Sequence, residues 1–321
     1  MRVAGPDDTF DAGPDHSDDW HACDFETTTY LDPITGRVRV WSWAIAPLDS
    51  DIIHRGTRIE TFVQKAADLG GIFWFHNLRF DGAFLDAYLQ SHTHGLGMRS
   101  GRWPKRQVPR GSFSALIGDT GAHYNRYVNL ASGDAFEVRD SAKKYPATTI
   151  ANLASMYGAP VSKGEIDYEK IRPEGYYPTE EEWEYLDDDV IILRTALRVT
   201  RAAGALGLTV GGDALTEYKT TMKHGKFRQV FPVLDRDTDE FLRRALRGGW
   251  TFVNPLYQGV VLDTCGEVYD VNSMYPAVMR QSSFPVGVPV SRAPGQTELA
   301  GCPHVVYGAL RDATLKPGRL P

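Results

Sequence analysis

Apolar residues along the chain recur at two periods, and the places where the period changes mark its elements. Trp20 to Asp24 starts a strand, and Arg37 to Ile45 largely alternates by two, as a strand does when successive side chains point to opposite faces. Pro33-Ile34-Thr35-Gly36 lies between them as a turn, so the pair predicts an antiparallel hairpin. Ile59 to Leu69 has helical spacing and is closed by Gly70-Gly71. Ile72-Phe73-Trp74-Phe75 reads as a short buried strand running into His76-Asn77-Leu78-Arg79-Phe80-Asp81, and Gly82 to Gln90 returns to helical spacing. The stretch Ser91 to Val138, rich in Gly, Arg and aromatics, predicts a small sheet with long loops. Phe136 to Asp140 is a strand leading into Ser141, and a helix from Thr148 to Tyr157 is stopped by Gly158 and Pro160. Thr179 with Glu182 three residues on is a capping-box signature for a helix reaching Ala202. This mixture, with no internal repeat, predicts an α/β fold with a mixed sheet flanked by helices.

A length of 321 residues suggests two domains, and 42% hydrophobic with 24% charged residues is the balance of a soluble globular chain. Cys23, Cys265 and Cys302 are odd in number and scattered, which gives neither a zinc spacing nor a disulfide framework. No apolar run is long enough to span a bilayer and no signal-peptide layout is present, so the expectation is a cytoplasmic protein without a membrane partner. The net charge of -6 argues against a nucleic-acid partner until it is located. Residues 1–20 carry six Asp and one Arg, so the remaining chain is close to neutral, and residues 1–19 are expected to form a disordered acidic tail. Arg99, Arg102, Lys105, Arg106 and Arg110, with Trp103 among them, could follow a phosphate backbone, although a solvated basic loop explains them equally well.

The candidate chemistry lies in three acidic clusters. Asp24 and Glu26 are separated by one residue, so on a strand they share a side and repel each other unless a cation or proton intervenes. Asp81 follows the next strand, and Asp187-Asp188-Asp189 closes a run in which Tyr185 and Asp189 share a helix face. Phosphodiester hydrolysis by two metals needs acidic oxygens holding two divalent ions about 3.5 to 4 Å apart, and Asp24, Glu26, Asp81 and Asp189 offer four carboxylates. Oxygen ligands without His or Cys favour Mg²⁺ or Mn²⁺ over zinc. Tyr185 could orient a water. Each cluster alone is commonly a solvated face or a helix cap; their order and spacing together are what single them out.

Asp24-Phe25-Glu26, Asn77-Leu78-Arg79-Phe80-Asp81 and Tyr185 to Asp189 resemble the three exonuclease motifs of proofreading 3′–5′ exonucleases with an RNase H-like fold. Arg247-Gly248-Gly249 and Asp270-Val271-Asn272-Ser273-Met274-Tyr275-Pro276 resemble the linker motif and polymerase motif A of the protein-primed family B DNA polymerases of bacteriophages and linear plasmids. The resemblance runs from about Trp20 to about Phe284.

It implies an RNase H-like exonuclease domain over 20–205, then a linker and incomplete polymerase palm over 206–321. Asp24, Glu26, Asp81 and Asp189 would be metal ligands, Tyr185 would position the nucleophile, and Lys163 would assist near the scissile phosphate. Thr27, Asn77, Phe80, Phe84 and Tyr168 match positions that hold a single-stranded 3′ end. Phe80 and Phe84 as mere core residues are a serious rival. Ser141 matches a further strand-binding motif, with Ala142 where the family has Leu. Arg247, Gly248 and Gly249 would contact DNA, with Leu246 replacing the usual Tyr. Asp270 would hold polymerase metals and Tyr275 would pack beneath the incoming nucleotide. The segment bearing the second catalytic aspartate does not appear, so polymerisation is not expected from these residues alone. The implied partners are single-stranded 3′ ends and primer-template DNA, with a terminal protein and a chain carrying the missing motifs as further candidates. A stand-alone exonuclease and a non-catalytic DNA- or terminal-protein-binding remnant are the alternatives.

Overall fold

The computed structural model describes residues 19–31, 36–99, 108–118, 121–244, 252–284 and 286–289, and side chains are described within these except at 96–99 and 224. The chain divides into two units, Met1–Thr216 and Glu217–Pro321. The first opens with the expected hairpin: β1 (Trp20–Thr27) pairs antiparallel with β2 (Val40–Pro47), and β2 with β3 (His54–Gly56). Helix α1 (Ile59–Leu69) has the expected bounds and stops at Gly70, whose positive φ of 63° favours glycine and whose N–H still donates to the Ala66 carbonyl. It returns the chain to β4 (Gly71–Phe75), which lies parallel to β1. Then come α2 (Leu78–His92), β5 (His94–Arg99), β6 (Ser112–Ile117), β7 (His123–Asn129) and β8 (Ala135–Asp140), the last parallel to β4. Helices α3 (Ile150–Tyr157) and α4 (Glu180–Ala202) follow, the latter with both halves of its capping box formed.

Strands β5 to β8 do not make a separate small sheet. They extend the central one, whose order is β3-β2-β1-β4-β8-β7-β6-β5. The pairing that joins them, β4 with β8, links residues more than sixty positions apart, and no local pattern reports it. Helix α2 also starts earlier than its spacing suggests, at Leu78 and not Gly82. Asn77 sits in the left-handed region at φ 69°, and the Asp140 carboxylate accepts from the backbone N–H groups of Asn77 and Leu78 at 3.1 and 3.2 Å. A side chain at the end of β8 thus caps α2, and its first turn includes Asp81.

Each face of the sheet buries one apolar layer. Cys23, Phe25, Phe73 and Phe75 pack with Phe62 of α1 and Leu78, Leu85 and Leu89 of α2. Trp20, Ala22, Ile72 and Trp74 pack with Leu153 of α3 and Leu186, Val190, Leu193 and Leu197 of α4. Alternation along β1 therefore places Asp24 and Glu26 in the row begun by Trp20 and Ala22, on the face covered by α4. The β1–β2 register shifts between Glu26 and Thr27, a bulge at the end of that row.

At the opposite edge, Gly56 lies against Trp43, and a Cβ there would approach the indole to 2.4 Å. The indole cannot yield easily, because its N–H donates to the Arg58 carbonyl at 2.9 Å and to Thr61 Oγ1 at 3.0 Å. Gly56→Ala is expected to destabilise the first unit by about 1–3 kcal/mol, read as a lowered denaturation midpoint with an unchanged slope.

The second unit, taken by itself, includes α6 (His224–Val230), α7 (Arg236–Arg243) and α8 (Met274–Gln281), after α5 (Val210–Thr221), which crosses the division. Tyr218, Phe227 and Phe231 form an aromatic cluster there. The acidic segment 1–18, the turn residues 32–35 and most of the basic stretch 100–107 lie outside the described residues.

Candidate active site

Asp24 and Glu26 near the end of β1 meet Asp189, which α4 presents from across the sheet face. One carboxylate oxygen from each lies within 4.8 Å of the others. Glu26 and Asp189 are buried, as is Asp81 in the first turn of α2. Asp81 completes the acidic group electrostatically: after burial, its charge is the largest influence raising the Asp24 carboxyl above its ordinary range. Burial, then Asp189, pushes Glu26 up to about 7. Burial also raises Asp81 and Asp189. Among the described residues, Oδ1 of Asp81 and Oδ1 of Asp189 are buried without a hydrogen-bond partner. Clustered carboxylates with unsatisfied oxygens and raised affinity for protons form a site that fits divalent cations.

Lys163 hydrogen-bonds Asp189 Oδ2, and its ammonium stands 4.8 Å from the centroid of the Tyr185 ring. Burial opposes the Lys163 charge, but Asp189 and Asp24 raise it on balance. The Tyr185 hydroxyl meets that of Tyr168 at 2.8 Å. Burial first, and then this bond, drives Tyr185 upward, so its phenol keeps its proton at working pH.

The loop bearing Lys163 and Tyr168 is braced from beneath. Arg172 is buried, donates to Glu182 at 3.0 Å and to the Asp167 carbonyl at 2.8 Å, and lies 4.4 Å from the Trp41 ring centroid. Glu182, besides capping α4, accepts from Lys170 and Tyr176. Thr29 donates to the Tyr168 carbonyl at 2.8 Å. The sequence reading identified Glu182 only as a cap and missed Arg172, whose role depends on this tertiary network.

The expected strand-binding residues divide. Phe80 is 54% exposed and so is not a core residue; its ring meets that of the half-buried Phe84 edge-on at 5.7 Å. Asn77 and Tyr168 are exposed, and Thr27 is buried at the bulge. Ser141 is fully buried at 0% exposure, with its hydroxyl 2.9 Å from His76 Nδ1. His76 Nε2 donates to the Thr148 carbonyl at 2.7 Å, so Nδ1 accepts and the serine hydroxyl is the donor. Its surroundings suit a residue that fixes the β4–α2 turn from behind. Asp140, which the sequence reading did not single out, fixes the same turn. In the second unit Asp270 lies in an exposed non-helical segment and Tyr275 in the first turn of α8, 64% exposed. Arg247, Gly248 and Gly249 lie outside the described residues.

Fold and site together define an RNase H-like α/β domain with a carboxylate cluster, joined to a second unit. Comparison with known proteins gives this class its relatives. The family described as "DNA polymerase type B, organellar and viral" matches residues 174–300. The DNA polymerase of Bacillus phage B103 is 33% identical over 276 residues, covering 84% of this chain and 46% of that polymerase. The DNA polymerase of Streptococcus phage Cp-1 is 29% identical over 94% of this chain and 52% of its own length. Among solved structures, phi29 DNA polymerase complexed with primer-template DNA and incoming nucleotides superposes with a TM-score of 0.72 at 29% identity, over 85% of this chain and 46% of that one. The same polymerase complexed with single-stranded DNA gives 0.64, over 74% and 41%. The chain is a relative of the protein-primed family B DNA polymerases of phages, and it spans about half the length of the curated relatives it matches.

Proposed function

We propose that the first unit is a two-metal 3′–5′ exonuclease acting on single-stranded DNA ends. The observation that carries this reading is the convergence of Asp24, Glu26 and Asp189 within 4.8 Å. Asp24, Glu26, Asp81 and Asp189 would hold Mg²⁺ or Mn²⁺, which supply positive charge at a phosphodiester and lower the pKa of bound water. The chain's own groups serve the phosphate around that cluster. Lys163, kept charged, adds a cation at its edge. Tyr185, kept protonated, offers a hydroxyl whose direction Tyr168 fixes. Phe80 presents an aromatic face on which any base can stack, as removal of a terminal nucleotide without regard to sequence requires, and Phe84, packed against the core, backs it edge-on.

The test is digestion of a 5′-labelled single-stranded oligonucleotide in Mg²⁺, Mn²⁺ or EDTA. A ladder shortening from the 3′ end in metal and absent in EDTA is expected; an intact oligonucleotide in all three overturns the reading. The likeness to phage DNA polymerases favours a second activity, template-directed DNA synthesis, for a protein of the relatives' full length. In that reading Asp270 binds metal, Tyr275 lies beneath the incoming nucleotide, and Arg247-Gly248-Gly249 contact primer-template DNA.

A further inference from the structure

Beside the β4–α2 turn lies a cavity of about 300 Å³, lined by Asn77, Arg79, Gly121, His123, Asp140 and Lys143. It shares Asn77 with the expected strand-binding surface, and Asp81 is only four residues further along the same segment.

Among the described residues that line it, Arg79, Lys143 and His123 offer donors and Asp140 is the one acidic residue. That carboxylate is already engaged. Its Oδ1 accepts from the N–H groups of Asn77, Leu78 and Ala142 at 3.1, 3.2 and 3.0 Å, and its Oδ2 faces Lys143 at 3.4 Å. His123 Nδ1 lies 2.6 Å from Arg126 Nη2. A guanidinium can only donate, so Nδ1 accepts, and the ring carries its hydrogen on Nε2. Burial, followed by the Arg126 charge, lowers the His123 pKa and keeps that ring neutral. Arg126 is itself held by Asp86 at 2.9 and 2.6 Å, and is fully buried, so the histidine is fixed by a rigid neighbour. Arg79 is exposed on the first turn of α2, beside Phe80. Lys143 reaches over the Tyr124 ring at 5.6 Å. An exposed guanidinium, a half-buried ammonium, an imidazole N–H and a side-chain amide thus surround one concavity whose carboxylate holds three backbone N–H groups on Oδ1 and faces the Lys143 ammonium with Oδ2. That arrangement selects an anion with several acceptor oxygens.

We propose that this cavity binds a backbone phosphate of the single strand upstream of its 3′ terminal nucleotide, with Arg79 and Lys143 as its charged contacts. The inference rests on the exonuclease reading for the identity of the strand. It assigns the cavity to internal phosphodiesters, distinct from the scissile one at the carboxylate cluster.

The experiment is fluorescence anisotropy of a 5′-fluorescein oligothymidylate titrated with the full chain in EDTA, across a series of salt concentrations, for the parent, Arg79→Ala and Arg79→Ala/Lys143→Ala. Each lost phosphate contact should lower the slope of log affinity against log salt by about 0.7 for a single strand. The single and double variants are therefore expected to lose about 0.7 and about 1.4, with affinity falling roughly tenfold per contact at low salt. The differences should vanish for a dinucleotide, which has no upstream phosphate. Arg79→Gln serves if the alanine variant melts below the parent. Slopes and affinities equal to the parent's overturn the proposal, as does an effect of the same size on the dinucleotide. Competition by inorganic phosphate at constant ionic strength separates a strand site from a free-anion site: no displacement is expected, and displacement overturns the assignment to the strand. Binding in EDTA is independent of cleavage. A parent that binds with the expected slopes but never cleaves in Mg²⁺ sinks the nuclease reading and leaves the cavity standing. A parent that cleaves while Arg79→Ala keeps its slope does the reverse.

Discussion

Asp24→Asn is expected to reduce metal-dependent shortening of a single strand by roughly 10³-fold or more, about 4 kcal/mol of barrier, and to raise the melting temperature of the metal-free protein. The two effects have one cause. The Asp24 carboxyl is pushed upward by burial and then by Asp81, Asp189 and Glu26, so in the metal-free state it is a source of repulsion. The amide removes that repulsion and, in the proposed two-metal site, a ligand as well. Asp189→Asn should lose activity to a similar degree without the gain in stability, because Asp189 also anchors Lys163. Residual labelled-product release in Asp24→Asn within tenfold of the parent would remove Asp24 from the metal-binding set. Equal stability changes in the two variants would mean that the Lys163–Asp189 bond contributes little to the fold.

Much of the cluster is legible in the sequence because its parts belong to locally coded elements. Strand alternation fixes the common side of Asp24 and Glu26, and the Thr179–Glu182 cap sets the start of the helix whose turns then place Tyr185 and Asp189 together. Helix α1 is coded as locally, by its spacing and by Gly70-Gly71. What escapes is decided by partners distant in sequence. Leu78, not Gly82, begins α2 because Asp140 caps it from β8, and that cap brings Asp81 into the helix. The middle strands join the main sheet through β8 alongside β4, a pairing no periodicity reveals. Arg172 looks like an ordinary loop cation until Glu182, Trp41 and the Asp167 carbonyl enclose it. Phe80 and Phe84 have the same helical spacing as core residues, and only exposure separates Phe80 from them.

Raising the pH from about 5 to 8 should lower the stability of the metal-free protein, and saturating Mg²⁺ or Mn²⁺ should flatten or reverse that slope. Glu26 stands near 7 in the folded chain against an ordinary value of 4.5, and Asp24, Asp81 and Asp189 are shifted in the same direction. A carboxyl whose pKa is higher in the folded than in the unfolded chain favours folding while it is protonated in both. That contribution is fully present below the unfolded value and is lost as pH rises through the folded one. For Glu26 the loss falls between about pH 4.5 and 7, and at 1.36 kcal/mol per pKa unit it comes to about 3 kcal/mol. A divalent cation bound at the proposed site would take the place of the bound protons, so the rise in melting temperature on adding metal should grow with pH. Thermal unfolding at pH 5.5 and pH 8, each in EDTA and in excess Mg²⁺, reads both slopes. Glu26→Gln, which cannot ionise, should retain a shallower metal-free slope than the parent. A parent slope that Glu26→Gln does not change, or a metal-induced stabilisation of equal size at both pH values, would show that the buried carboxylates are already balanced without a cation.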